Sequence, residues 1–448
     1  MIQIMIRNTR APIHIMVLAL AVLGFRAQVN AADINDAPTG KWRTWIGIVD
    51  TSTPPVSSTS DGIVARKLSV AETRDPVVQK WLQQWTATPA SIVWNDVVLD
   101  LIVKYQQNPL RAARTLAYVH VAMHDALVMA SREGKEGVLM LAAVHGAASA
   151  TLSYFYPQEP AARFGAMGYA AVQTLATTNP SGLVKIRRGW EIGQTAAHHT
   201  SQRALNDGAD ATWDLKQRPA IRPGLWQAAP PLNAYRPLEP MAGRWHTWVL
   251  RDGSELSPPP PPVYDSREYW EEVHKVMQTA AQLTEEQKKI AEDWNLGLGT
   301  VTPAGVWNRQ AREHVLRQKL NTAQTARLFA ALNVAMMDAF ISCWSTKFRF
   351  WTERPVTVIR AKFNPEFLPH IVTPPFPSYP SGHATVSGAA SEVLASFFPE
   401  QSGKFRAMAV EASKSRLYGG IHFPVDNEEG LKVGQKIGRR VIERLAAN

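Results

Sequence analysis

The sequence contains a single cysteine, Cys343, in 448 residues. An intramolecular disulfide is excluded, and no cysteine stands at the N-terminal processing point to carry a lipid. Strand-like alternation is scarce, so a β-sandwich or barrel is not expected. No basic run is interleaved with aromatics, which argues against nucleic acid as a partner. Beyond the N-terminal segment no stretch reaches 18 uninterrupted apolar residues, so no further membrane span is expected. No internal repeat is present. Acidic residues are the minority charge, 38 Asp and Glu against 48 Lys and Arg.

The first 31 residues contain Arg7, Arg10 and Arg26 and no acidic residue. An apolar core at 15–25 and small residues at Val29 and Ala31 complete the pattern of an export signal at 1–31. The expected location is periplasmic or secreted; the alternative is an uncleaved anchor. Cleavage before Ala32 lowers the net charge from +10 to +7. A basic surface of that size implies solubility and weak attraction to anions.

Residues 32–93 read as an irregular N-terminal region, with a loop in "TSTPPVSSTSDG" at 51–62. From Trp94 the helical period takes over. "LRAARTLAYVHVAMHDALVMA" at 110–130 is apolar or small nearly all round, which predicts a buried helix. Residues 138–155 and 161–178 follow in the same style. A Pro- and Trp-rich, weakly periodic stretch at 218–262 ends in "SPPPPPV" and is the best boundary. Beyond it, Asp265 with Glu268 and Thr284 with Gln287 have capping-box spacing. A long buried helix is expected at 322–344, and two more around 384–398 and 403–417. The expected fold is all-α. A first helical bundle at 94–217 and a second at 263–448 lie side by side, joined by the Pro-rich connection.

Three pieces of the last quarter carry chemistry together. "KFRFWTERP" places Lys347 seven residues before Arg354. "PSGH" runs from Pro380 to His383. "SRLYGGIHFPVD" places Arg416 six residues before His422 and Asp426 four residues later. Two Arg forks and one Lys point charge suit a tetrahedral oxyanion. Ser381 and Gly382 stand where a helix should begin, so their N–H groups are expected to face that anion. The Ser381 hydroxyl adds a donor, and Gly382 lets the anion approach the backbone. His383 can give or take a proton beside it. His422 could bond to the central atom while Asp426 fixes its tautomer. The loop before them, "PPFPSYP" at 374–380, spends four prolines in seven residues, which reads as an extended approach to that helix.

These pieces resemble the three-part signature of the vanadium-dependent haloperoxidases and the type 2 phosphatidic acid phosphatase (PAP2) superfamily. The resemblance implies an all-α fold. It implies that vanadate is held by Lys347, Arg354, Ser381, Gly382 and Arg416, with His422 bonded to vanadium and His383 as the acid–base group. In the phosphatases of the superfamily the residue matching His422 is the nucleophile, and the one matching His383 protonates the leaving group. The length of the chain, its complete N-terminal half, and the segments 109–127 and 290–308 are similar to bacterial haloperoxidase-like proteins. Trp344 and Phe376 stand at offsets that resemble the halide pocket of fungal-type chloroperoxidases. The expected activity is oxidation of halide by hydrogen peroxide with vanadate as cofactor. The alternative is an exported phosphomonoesterase acting on a soluble phosphate ester through a phosphohistidine. A third reading is a binder of phosphate or vanadate with a decayed site. Many relatives carry an Asp just after the residue matching Trp294, bracing an active-site Arg. Here Asp293 precedes the Trp, and the expectation is that it either takes that role or leaves Arg416 without it.

Other polar residues read as structural. His120 and His124 are four apart with Asp125 beside the second, but the helix around them is densely apolar and no second histidine–carboxylate helix pairs with it. His370 reads as a loop histidine. Met336 and Met337 read as core. Ser378 and Tyr379 read as shaping the loop.

Overall fold

The computed structural model describes residues 41–47, 74–82, 88–134 and 137–447. The export signal at 1–31 and the loop at 51–62 lie outside the described residues. Among the described residues no strand forms, and one isolated bridge joins Leu225 to Thr352. The fold is all-α, two helical bundles packed side by side.

The first half contains α1 (Pro76–Leu82), α2 (Ala90–Lys104), α3 (Pro109–Glu133), α4 (Gly137–Phe155), α5 (Arg163–Thr178) and α6 (Leu183–Leu205). The second contains α7 (Arg267–Ala281), α8 (Glu285–Asp293), α9 (Thr302–Gln318), α10 (Thr322–Phe350), α11 (Pro355–Lys362), α12 (Gly382–Phe397), α13 (Ser402–Tyr418) and α14 (Pro424–Ala446).

Two helices form the centre. α3 starts where the Asn108 side chain accepts the N–H groups of Leu110 and Arg111, with Pro109 preset for the first turn. It is then buried without a gap from Ala112 to Ala130. α10 starts in a capping box of Asn321 and Gln324 and is buried from Thr325 to Trp344. A helix apolar on every face must sit inside the protein. One hydrophobic cluster runs from α2 and α3 through α9 and α10 to α12, α13 and α14, so the two bundles share a core. Helices α4 and α10 are long and apolar enough to cross a membrane by length and composition alone. Their apolar windows are 61% and 94% buried inside the fold, which accounts for that character.

The capping boxes divide. Thr284 and Gln287 close one at α8. At α7 the cap is Ser266, which accepts from the Tyr269 N–H, and not Asp265. Asp265 sits in the left-handed region (φ 67°) and takes the Trp270 indole N–H instead.

The Pro-rich stretch at 218–262 packs against the fold as a strap. Asp338, buried in α10, accepts the N–H groups of Trp248, Val249 and Leu250 at 2.8, 2.9 and 3.3 Å. The Leu238 N–H donates to Pro375 O at 2.8 Å, and the Tyr379 hydroxyl donates to Pro259 O at 2.6 Å. The strap therefore ties α10 to the loop at 374–380.

Candidate active site

The chain brings its cations together at the end of α10. Lys347 occupies the last turn. The helix ends at Trp351 in the left-handed region (φ 52°), and Arg354 caps α11 in an extended conformation. Arg416 enters from the last turn of α13. Lys347 and Arg354 are 0% exposed and Arg416 is 1%, so all three charges are withdrawn from water.

The proline loop explains how two of them are held. Proline has no N–H, so a Pro-rich loop offers carbonyl oxygens. Phe376 O accepts from Arg354 Nε at 2.9 Å. Pro377 O and Ser378 O accept from Lys347 Nζ at 2.8 and 2.6 Å. Thr352 fixes the loop in turn, with its O accepting the Ser378 N–H at 3.0 Å and its Oγ1 accepting the Tyr379 N–H at 2.8 Å.

His422 stands between a carboxylate and a guanidinium. Its Nδ1 lies 2.8 Å from Asp426 Oδ2, and its Nε2 lies 3.0 Å from Arg354 Nη1. Arginine can only donate, so Nε2 is the acceptor and Nδ1 carries the proton. Asp426 Oδ2 also takes the Ser378 hydroxyl and the Phe423 N–H. The main-chain O of Asp426 accepts the Ser381 N–H at 2.9 Å, joining the starts of α12 and α14.

That last bond corrects an expectation, because the Ser381 N–H is occupied and cannot face an anion. The Ser381 hydroxyl caps α12 at the Ala384 N–H, at the long distance of 3.5 Å. The open donors are the N–H groups of Gly382 and His383, the first two residues of the helix. Gly382 lines the cleft and also meets Trp344. A Cβ there would lie 3.3 Å from the Trp344 ring, so the bare Cα lets the indole close against the helix start. Asp293 does not brace Arg416. It is paired with Lys289, both exposed. Arg416 Nη2 donates instead to Ala291 O at 3.1 Å, near the carbonyl-rich end of α8, and its Nε donates to Ser415 Oγ at 2.9 Å.

The site has more positive than negative charge, since Asp426 is the carboxylate facing Lys347 and Arg354. Burial pushes Arg354 down to about 9; burial and then Arg354 push Arg416 down to about 9. Burial likewise lowers Lys347 and raises Asp426. His422 lies well below its ordinary value, first through burial and then through Arg354. His383 does so through burial and then Arg416, opposed by a hydrogen bond to the Trp294 main chain. Three shielded polar atoms have no partner here: Arg354 Nη2, His383 Nε2 and Asp426 Oδ1.

A cleft of about 380 Å³ opens above these groups. Gly382, His383, Arg416 and His422 form its floor. Trp344 and Phe376 both line it, with ring centroids 4.8 Å apart, and Lys347 Nζ lies 5.1 Å from the Phe376 centroid. The walls include four distant segments: Pro109 and Leu110, Leu232, residues 295–298, and Val372 with Pro374, Pro375 and Phe376. Sequence reading missed the part of Ser378, which was taken as loop shape. It also missed the wall supplied by α3, because nothing in the spacing of Leu110 signals a contact with residues 300 positions away.

The residues read as structural are placed so. His120 Nε2 bonds to Asn95 Oδ1 at 3.1 Å and its ring stacks on Phe329. His124 pairs with Asp125 at 2.9 Å. Asp125 accepts the N–H groups of Trp45 and Ile46, docking the N-terminal segment. His370 pairs with Glu292.

Residues 327–442 match the family model of the PAP2 superfamily. Over 109 residues the chain is 33% identical to the vanadium chloroperoxidase of Curvularia inaequalis. That stretch covers 21% of this chain and 18% of the curated relative, so the chain matches less than a fifth of that protein's length. The fold is similar to the crystal structure of a bacterial vanadium-dependent iodoperoxidase, with a TM-score of 0.67 and 26% identity, covering 80% of this chain and 96% of that one. It is also similar to apo- and holo-type bacterial vanadium-dependent chloroperoxidase, both 17% identical, with TM-scores of 0.60 and 0.58. Those matches cover 76% and 85% of this chain and 95% and 97% of the others. Residues 327–442 are thus similar to the PAP2 superfamily, and the all-α fold is that of the vanadium haloperoxidases it resembles.

Proposed function

We propose that the protein is a vanadium-dependent haloperoxidase-like enzyme that uses hydrogen peroxide to oxidise halide. One observation carries the reading: three buried cations converge on a neutral histidine whose Nδ1–H is fixed by Asp426. The fit to vanadate rests on the same pocket. Arg354 Nη2 and His383 Nε2 are shielded and unpartnered, and the cations outnumber the facing carboxylate. A protonated oxyanion would offset the surplus charge, accept from Arg354 Nη2 and donate its hydroxyl to His383 Nε2.

Lys347, Arg354 and Arg416 would hold it together with the Ser381 hydroxyl and the Gly382 N–H, with His422 Nε2 as the ligand atom. Bound vanadate would supply a Lewis-acidic centre that activates peroxide without changing oxidation state. The rest falls to side chains. Asp426 keeps the proton on Nδ1 and the Nε2 lone pair inward. Arg354 Nη1 can release Nε2, because it also donates to Ile421 O at 2.7 Å. His383, neutral in the free protein, accepts a proton from peroxide and returns one to the departing oxygen. Lys347 stabilises negative charge there. The net reaction consumes peroxide, halide and a proton and gives hypohalous acid and water.

The second reading is phosphate monoester hydrolysis, favoured by the superfamily match over 327–442. There His422 would be the nucleophile and His383 the acid. Vanadate separates the two. Bromination by purified protein should appear when vanadate is added, whereas hydrolysis of a chromogenic phosphate ester should be inhibited by it. No peroxide-dependent bromination at any vanadate level would sink the first reading. Export belongs to the same proposal, supported by the basic and apolar pattern of residues 1–31. The mass of the mature protein from a secreting host tests it.

A further inference from the structure

We infer that a second cavity, behind Asp426 and separate from the catalytic cleft, binds a small ammonium cation, and that this cation strengthens anion binding in front of His422. The inference goes beyond the proposed reaction and is the same for halide oxidation and for ester hydrolysis.

This cavity measures about 40 Å³ and shares no lining residue with the cleft above His383. A buried water needs about 10–15 Å³ of such space, so a group of two or three heavy atoms fits and nothing bulky does. Three carboxylates line it, those of Glu272, Glu353 and Asp426, and no Lys, Arg or His does. Tyr264, Tyr269 and Phe423 form an arc of rings around them. Successive ring centroids lie 5.2 and 6.2 Å apart, with planes inclined by 59° and 53°. The face of an aromatic ring is negative, so rings and carboxylates together favour a cation. Among the described residues no group of three His, Cys, Asp or Glu is placed to hold a metal ion. The three carboxylates therefore do not converge on one metal, and an ammonium group held by hydrogen bonds and ring faces is the cation that suits them.

A second observation points to the same occupant. Asp426 is 1% exposed, and its Oδ1 has no partner. Its Oδ2 is taken by Ser378, His422 and the Phe423 N–H, and its main-chain O by the Ser381 N–H. Oδ1 is thus what Asp426 offers to the cavity it lines. A buried carboxylate oxygen that no donor reaches is costly, and an ammonium N–H removes that cost. Glu353, also buried, accepts the Tyr269 hydroxyl at 2.5 Å, and Glu272 accepts the Val425 N–H at 2.7 Å and pairs with Lys275 at 3.0 Å. Lys347 and Arg354 act on Asp426 from the catalytic side and oppose a cation behind it. Glu353 and Glu272 supply the negative charge that offsets them. The two oxygens of one carboxylate then join two sites. A positive charge at Oδ1 adds to the field on the anion pocket beyond Oδ2, so cation and anion each tighten the other by the same factor.

The test titrates methylammonium chloride into the full protein and reads bound probe by saturation-transfer NMR, with sodium chloride keeping the ionic strength constant. Wild type should give a saturable signal. Tetramethylammonium, too bulky for the cavity, should give none. Glu353→Gln keeps an acceptor for the Tyr269 hydroxyl and removes one charge. Tyr264→Leu, on the half-buried rim, removes one ring face and is the independent second variant. Each should weaken methylammonium binding about fivefold or more. No saturable signal from wild type, the result of a cavity that takes only water, overturns the inference. Equal affinity in wild type and both variants overturns it too. The same titration in saturating sodium sulfate should show methylammonium binding tightened about twofold or more. Unchanged or weaker binding in sulfate overturns the coupling. Neither readout involves turnover, so a failure of bromination bears on the proposed reaction alone.

Discussion

Asp426 Oδ2 lies 2.8 Å from His422 Nδ1, and Ser378 donates its hydroxyl to the same oxygen. That oxygen is the hinge of the site's chemistry, because it decides which nitrogen of His422 carries the proton. Asp426→Asn would present an amide with no such preference. We expect vanadate affinity or turnover to fall by about 10- to 100-fold, measured by titration and by bromination. Unchanged values would mean that the tautomer is set elsewhere.

Ser378→Ala removes one donor from a buried carboxylate. The cost should be about 1–3 kcal/mol of stability. Denaturant unfolding reads it, and Ser378→Thr should recover most of the loss if the hydroxyl itself matters.

His383→Ala should lower turnover by about 100-fold or more while anion binding stays within a few-fold. Its Nε2 is unpartnered, so that nitrogen is available for proton transfer. Loss of anion binding in this variant would contradict the acid–base role.

The pH dependence of anion binding has a defined sign. Burial lowers Lys347, and burial and then Arg416 lower His383. A bound anion favours the protonated form of each, raising both pKa values. Binding of sulfate, which is fully ionised near neutrality, should therefore take up protons and weaken as pH rises through the lowered lysine value. Calorimetry in buffers of different ionisation enthalpy gives the proton count. Net release on sulfate binding would rule the scheme out.

Gly434 of α14 faces α12 so closely that a Cβ would lie 1.9 Å from Thr385 O. Gly434→Ala must push apart the two helices whose starts carry His383 and His422. A destabilisation of about 1–3 kcal/mol or more is expected in thermal unfolding. Activity should fall in the folded fraction as well, since the separation shifts one histidine from the other.

The chain's helical character was readable from periodicity, because a helix apolar on every face leaves the same signature wherever it packs. Residues 110–130 and 322–344 show this. The chemistry-bearing residues were readable by type, order and spacing. Lys347, Arg354, His383, Arg416 and His422 converge in the fold. What spacing could not supply was direction. The Ser381 N–H points to Asp426 O, the proline loop holds cations through its carbonyls, and Arg416 leans on a helix end where a carboxylate was sought.

The sequence by itself determined the helices, the absence of a disulfide and the set of charged groups able to meet an oxyanion. These follow from local period and residue chemistry. The tertiary structure alone decided that 218–262 is a strap, that Ser378 serves Asp426, and that Leu110 walls the cleft. Each depends on contacts between residues 48 to more than 300 positions apart, and such contacts are set by how helices pack, which no local pattern encodes.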